Sequence, residues 1–279
     1  MTSRSRPPER LEKTLARVAR EQGIDQERLR RWVSFLALCG LLERALAEGI
    51  LGAYHLKGGV AMELRFAQRA RATKDLDLGI DAMRTNRLQT LSAALNLGFD
   101  QFTFRIKAQT RDMEQADTIR VQVALQYKTR SWQTIDVDLG PAKLDNIDLI
   151  VPQVHGLAEL GIHVISPVRC LRLADQVAQK LHACTGPFSA GRARDILDIL
   201  LIDTLGELNY AEAGNAARRI FEERATHEFP PNTTIRSEWS PELEALARDL
   251  GFPIRTVSDM QERFSEFVET LVRASEHHA

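Results

Sequence analysis

Asp75 and Asp77 stand one residue apart, and on a strand that spacing points both carboxylates to one side. Hard cations such as Mg²⁺ are held by carboxylate oxygens presented in this way. Fifteen residues separate Asp75 from the run Leu56-Lys57-Gly58-Gly59. Backbone without side chains at Gly58 and Gly59 lets phosphate oxygens approach the N–H groups opening the next helix, where the helix dipole favours an anion. From Lys57 to Lys74 there are five basic residues, Lys57, Arg65, Arg69, Arg71 and Lys74, against the single acid Glu63. Arg65 and Arg69, one helical turn apart, read as a solvated helix face. A third carboxylate would complete a metal set, and Asp136 or Asp138 can supply it. Two Mg²⁺ ions about 3.5–4 Å apart in such a set activate an attacking hydroxyl and stabilise a pyrophosphate leaving group.

A second group lies downstream, where Lys180 is followed by Asp195 and Asp198. Asp195 and Asp198 share a helix face, and Arg194 nearby allows an ion-pair ladder. The helix is otherwise apolar through Ile196, Leu197, Ile199, Leu200 and Leu201. Charges embedded there need partners, and Lys180 on the preceding helix is the natural one. A site role for Lys180 and Asp195 and a buried pair both remain open on this reasoning. The seven histidines show no ligand spacing; His182 reads as a helix-surface residue, and His277 and His278 fall in the terminal tail.

The elements that must position these residues follow from periodicity. Apolar residues at helical spacing over 9–48 predict two helices broken at Gly23-Ile24-Asp25, an ordinary helical hairpin in preference to a DNA-reading helix-turn-helix. A short strand at 53–56 leads into the glycine pair and a helix over 60–68, and a strand over 75–80 carries the acids. A further helix is predicted over 85–97. Ile119, Val121, Val123 and Leu125 alternate with polar residues, the period of a half-exposed strand. Residues 132–139 put Ile135, Val137 and Leu139 on one face and Thr134, Asp136 and Asp138 on the other. Ser166-Pro167 reads as a helix start. Helices are predicted over 168–184, 192–205, 210–226, 241–250 and 257–275, with 229–237 a polar connection.

Composition narrows the class. The chain has 279 residues, 44% hydrophobic and 27% charged, with a net charge of −1, which describes a globular protein. No chain-wide basic excess marks a nucleic-acid or membrane binder, so any such partner needs a local patch. No stretch approaches the roughly 18 apolar residues of a membrane helix, and the first residues lack an apolar leader, so the cytoplasm is expected. Cys39, Cys170 and Cys184 are odd in number and widely spaced, and are expected to be reduced packing residues. Phosphate-loop, H-E-x-x-H, G-x-S-x-G and kinase signatures are absent, against the common hydrolase and kinase classes.

Taken in order, Leu56-Lys57-Gly58-Gly59, Arg71-x-Thr73-x-Asp75-x-Asp77, Ile135-Asp136-Val137 and the block from Lys180 to Asp198 resemble the AbiEii-type nucleotidyltransferase toxins. That family includes the mycobacterial MenT toxins and belongs to the DNA polymerase β-like nucleotidyltransferase superfamily. The resemblance runs over roughly residues 53–205. It implies an α+β fold with a polymerase β-like core, a small mixed sheet with helices, flanked by a helical N-terminal segment and a helical C-terminal domain. The corresponding divisions are 1–50, 51–165 and 166–279.

By the same resemblance Asp75, Asp77 and Asp136 hold Mg²⁺, one ion or two, with Asp138 the alternative third ligand. Lys57, Gly58, Gly59, Arg71 and Lys180 bind the phosphates of an NTP, and Asp75, Asp77, Lys180 and Asp195 are the catalytic set. As a phosphate ligand, Lys180 would be dispensable for stability. The usual superfamily turn is Gly-Ser with a shorter spacer, and the Gly-Gly turn here departs from it. The implied enzyme moves a nucleoside monophosphate from an NTP to an acceptor hydroxyl, with the 3′ end of tRNA as acceptor. It would act as the growth-arresting toxin of a toxin–antitoxin or phage-defence pair, partnered by an antitoxin encoded nearby. Alternatives are nucleotidylation of a protein or of a small molecule such as an antibiotic, or a non-catalytic binding module with this fold.

Overall fold

In the computed structural model of the chain, residues 8–113, 117–142, 147–152, 158–160, 167–205 and 208–276 are described. Helix α1 (Pro8–Gln22) buries Leu11, Leu15, Val18 and Ala19, one stripe at helical spacing. It ends where Gly23 adopts φ 62°, and the Ile24 N–H returns to the Ala19 carbonyl at 2.9 Å. Asp25 then caps α2 (Gln26–Ala47) by accepting from the Arg28 N–H. Every residue of α2 from Trp32 to Leu42 is buried. The predicted hairpin break is therefore real, and its second helix is a core helix.

Among the described residues the strands form one mixed sheet of seven, ordered β3-β4-β5-β2-β1-β7-β6. They are β1 (Tyr54–Lys57), β2 (Asp75–Ile80), β3 (Phe102–Met113), β4 (Thr118–Tyr127), β5 (Arg130–Pro141), β6 (Ile147–Ile150) and β7 (Val168–Leu171). Helix α3 (Gly58–Phe66) follows β1 directly, and α4 (Arg84–Leu95) follows β2. β2 runs parallel to β5 and antiparallel to β1, while β3, β4 and β5 are an antiparallel meander. Alternation works as expected in β4 and β5, where Ile119, Val121, Val123, Ile135, Val137 and Leu139 are all buried. Phe102, Tyr127 and Trp132 form an aromatic cluster with centroids 5.1–6.3 Å apart. Trp132 Nε1 donates to Ser34 Oγ at 3.0 Å, which ties the sheet to α2.

The chain divides into two compact units: 1–68 with 72–170, and 69–71 with 171–279. Helices α1 and α2 thus share a unit with the sheet. The second unit contains α5 (Leu173–Thr185), α6 (Ala193–Leu205), α7 (Tyr210–Arg224), α8 (Ser240–Asp249) and α9 (Val257–Glu276). Ala213, Ala216 and Ala217 give α7 a small-residue face, buried together with Phe264, Phe267 and Leu271 of α9. Among the described residues no helix is long and apolar enough to cross a membrane.

Three expectations are corrected here. Residues 168–171, placed in a helix, are β7, because Leu56 pairs with Cys170 in parallel and the alternate side chains Val168 and Cys170 are buried in the sheet. The helix starts at Leu173, while Ser166 lies outside the described residues, as do His277 and His278. Arg65 is buried, its guanidinium 2.6 Å from Asp148, because α3 is apolar nearly all round and packs on β1 and β2. His182 is also buried, stacked edge-on to Phe221 at 4.9 Å. The three cysteines are free and buried, and burial pushes the Cys170 thiol up to about 12.

Glu63 is a node of the first unit. Its carboxylate accepts from Arg28 Nε at 2.7 Å, Trp32 Nε1 at 3.0 Å and the Thr73 N–H at 2.9 Å. Burial raises its pKa in spite of those donors. Glu63→Ala takes the carboxylate from the Arg28 guanidinium, which keeps its bond to the Ala67 carbonyl, and removes the acceptor of the Trp32 indole and the Thr73 N–H, so a denaturant melt should show a loss of about 3–5 kcal/mol. An unmoved midpoint removes Glu63 from this role.

His182 generates a pH prediction. Burial first, then Arg224 and His227, lower its pKa to about 4. The unfolded chain, titrating near 6.5, binds more protons between those values, so the term is fully stabilising above about 6.5 and is lost as the pH falls toward 4. The melting temperature should decline over that window, and less steeply in His182→Gln. Equal slopes would rule the residue out.

Candidate active site

The pleat brings the acids together on one face. Asp75 and Asp77 of β2 lie directly beside Asp136 and Asp138 of β5, in register. Along one row the order is Lys57, Asp77, Asp138, Arg120, and along the next Asp75, Asp136, Gln122. Four like charges on neighbouring strands repel, so the row needs cations. Arg120 supplies one: Nε is 2.6 Å from Asp138 Oδ1, Nη2 is 2.5 Å from Asp138 Oδ2, and Nη2 reaches Asp75 Oδ2 at 3.3 Å. Its hydrogen bond with Asp138 raises the guanidinium pKa further. Asp136 accepts a neutral amide hydrogen bond from Gln122 Nε2 at 3.1 Å.

Gly58 is required at its position for two reasons. It has φ 62°, and a Cβ there would lie 1.9 Å from Asp77 Oδ2. At Gly59 a Cβ would lie 2.8 Å from Thr73 Oγ1. The glycine pair thus lets the opening turn of α3 sit against the residues that lead into and carry the acids. Lys57, the last residue of β1, is opposite Asp77. The expected order of strand, glycine pair, helix and acid-bearing strand is observed, with β1 reaching Lys57 and α3 opening at Gly58 where the sequence suggested Val60, and Arg120 was not singled out. The signal was available, since alternation in β4 puts Arg120 on the same face as Gln122.

The donor chemistry fits a divalent cation: the side chains of Asp75, Asp77 and Asp136 offer hard oxygens from one face of two adjacent strands. Among the described residues no group of three His, Cys, Asp or Glu side chains is yet arranged to hold a metal ion, and Arg120 is a counter-charge to Asp138 and Asp75.

The second unit contains the other sequence-predicted group. Lys180 Nζ is 2.7 Å from Asp195 Oδ1 and 2.7 Å from Asp198 Oδ2, with all three side chains nearly buried. Arg71 donates to both oxygens of Asp198, from Nε at 3.1 Å and Nη2 at 3.1 Å. Arg192 stands 3.5 Å from Asp195. Burial opposes charge on Lys180 and on Asp198, but the mutual attraction wins: the lysine pKa is raised and that of Asp198 is lowered. Three cations face two carboxylates, a net positive cluster. Arg194 does not join the anticipated ladder; its position one residue before Asp195 turns it outward to Glu242, 2.9 Å away.

A mixed sheet that carries paired aspartates beside a glycine turn is the architecture of a nucleotidyltransferase, and the comparisons agree. The chain belongs to the AbiEii nucleotidyl transferase toxin family of type IV toxin–antitoxin systems, whose sequence profile matches residues 40–277. It is an enzyme of the nucleotidyltransferase class and a toxin-family member. In fold it resembles MenT4, the nucleotidyltransferase toxin Rv2826c from Mycobacterium tuberculosis H37Rv, with TM-score 0.59 and 15% identity over 92% of this chain and 89% of that one. The antibiotic-resistance factor ANT(2'')-Ia matches at TM-score 0.40 and 14% identity, over 69% of this chain and 94% of that one. An antigenic nucleotidyltransferase-like protein from Paracoccidioides brasiliensis matches at TM-score 0.39 and 16% identity, over 79% and 94%. No curated protein sequence matches the chain.

The buried Lys180 adds a structural demand to whatever chemical role it has. Lys180→Ala leaves the nearly buried Asp195 facing only the exposed Arg192 at 3.5 Å and leaves Asp198 to Arg71, so a thermal melt should show destabilisation of about 3–5 kcal/mol. Unchanged stability would contradict the pairing.

Proposed function

We propose that the enzyme transfers a nucleoside monophosphate, or short runs of nucleotides, from an NTP to the 3′ hydroxyl of tRNA, with Mg²⁺ as cofactor. Blocking or extending that end stops aminoacylation and arrests growth, and an antitoxin from a neighbouring gene restrains the toxin. The observation that carries this reading is the meeting of Gly58 with Asp77, where a side-chain-free turn abuts the paired acids. In the reaction the acceptor oxygen forms a bond to the α-phosphorus while the bond to the β-phosphate oxygen breaks, and pyrophosphate leaves.

The residues divide the work. Asp75, Asp77 and Asp136 hold the cation, which when bound lowers the proton affinity of the attacking hydroxyl and offsets charge on the leaving group. Asp138 is clamped by Arg120 and acts as a support, which favours Asp136 as the third ligand. Lys57 and the N–H groups of the Gly58-Gly59 turn bind NTP phosphates. Arg71 and Lys180 also serve the phosphates, and the excess positive charge of their cluster supports that role. Asp195 keeps Lys180 oriented and charged.

Labelled NTPs offered to total RNA, protein and small-molecule pools test the acceptor: label is expected at RNA 3′ ends, and label confined to protein or to a small molecule overturns the tRNA reading. Asp77→Ala and Asp136→Ala should each lose roughly 10²–10³-fold in transfer rate, the scale of removing one electrostatic stabiliser. Asp138→Ala should retain most activity. A silent Asp136→Ala beside a dead Asp138→Ala would reverse the assignment of the third ligand.

A further inference from the structure

The acids of β2 and β5 occupy two rows of the sheet face, and the row beyond them carries none. His55, Gly79 and Gly140 stand there in register across β1, β2 and β5. They lie two residues from Lys57, Asp77 and Asp138 on the same strands, so the pleat puts them on the same face. Two neighbouring side chains are therefore missing from this face, and residues of β1 take up both spaces. A Cβ on Gly79 would lie 2.8 Å from His55 Cε1 and Nε2. A Cβ on Gly140 would lie 3.2 Å from Lys57 Nζ, with Thr118 Oγ1 next at 3.6 Å.

Lys57 thus does not keep its charge over its own strand. β2 lies between β1 and β5, and neighbouring strands are about 4.8 Å apart, so the side chain crosses β2 to set its ammonium over β5. Neutralising the acids does not require that reach: Asp77 is directly opposite Lys57 on the next strand, and Asp138 is already gripped by Nε and Nη2 of Arg120. The neighbouring imidazole does not oppose it either. Burial first, then the Lys57 charge, lower the pKa of the buried His55 to about 4, so that ring is neutral at neutral pH. A lysine stem is four flexible carbons, and the bare backbone at Gly140 leaves the room in which its end stands.

The geometry points to Gly140 as a positioning residue for the triphosphate. By leaving β5 bare beyond Asp138, it lets the Lys57 ammonium stand where the phosphates of the NTP meet it, while the neutral His55 ring fills the matching space over Gly79. Gly140 touches no substrate itself and acts through Lys57. The inference deepens the proposed function, and it rests on the reading that Lys57 binds NTP phosphates.

The test is equilibrium dialysis of the full chain against each of the four labelled NTPs with Mg²⁺ and no acceptor, over a cycle of Gly140 and Lys57 variants. Gly140→Val puts methyl groups where the ammonium stands and should raise the Kd of the preferred NTP about tenfold, the scale of losing one hydrogen bond to a charged group. Gly140→Ala should fall between wild type and Gly140→Val. Lys57→Ala should weaken binding at least as much as Gly140→Val, and adding Gly140→Val to it should cost nothing more, a coupling that a purely structural glycine does not show. Gly140 is outside the left-handed region, so Gly140→Ala should melt with the wild type. Wild-type affinity in Gly140→Val, beside a weakened Lys57→Ala, overturns the role of Gly140 alone. Losses that add in the double variant do the same, as does a lowered Gly140→Ala melt that Lys57→Ala fails to restore. Unchanged NTP affinity in Lys57→Ala takes Lys57 off the phosphates and overturns that part of the proposed function together with this inference.

Discussion

Four aspartates on two adjacent parallel strands set the constraint on the first unit. Asp75, Asp77, Asp136 and Asp138 share one face in register, so the folded state concentrates negative charge that the unfolded chain keeps dispersed. Arg120 answers part of it with a bidentate hold on Asp138, and Lys57 closes the other end of the row opposite Asp77. The row thus has cations at both ends, and its middle is acid beside acid. Such crowding of like charge costs stability unless the surrounding structure holds it in place.

Rigid supports elsewhere make this crowding tolerable. Glu63 joins α2, α3 and the approach to β2 through three donors, so the turn at Gly58 and Gly59 and the strand carrying Asp75 and Asp77 are anchored by one buried carboxylate. The side-chain-free turn can then lie against Asp77 without drifting. In the second unit Lys180 plays an analogous part between two buried acids, with Arg71 and Arg192 adding positive charge. Both nodes are buried ion networks, which contribute geometric definition more surely than net stability.

Much of this was readable from spacing. The strand 75–80 and the acids' common face follow from a period of two, and the helical hairpin follows from Gly23 and Asp25. The helix bounds in 192–275 follow from apolar repeats and came within two residues of those observed. The errors share a cause. Residues 168–171 were assigned to a helix because Pro167 looks like a start signal, whereas pairing with β1, more than a hundred residues earlier, makes them a strand. Arg65 and His182 looked like surface groups because their own helices offered no partner. Asp148 and the Phe221–His227 cluster that receive them are remote in the chain.

By itself the sequence determined the period of each element, the polar face on which Asp75, Asp77, Asp136 and Asp138 must lie, and the family that their order resembles. Only the tertiary structure decided which charges meet. Strand order and register placed Arg120 on Asp138 and Gln122 on Asp136, and helix packing placed Lys180 between Asp195 and Asp198 while turning Arg194 away. The reason is physical. Periodicity is a local property of neighbouring residues and survives in the sequence as pattern. Ion pairing depends on long-range closure of the chain, whose cost is repaid only when many contacts form together.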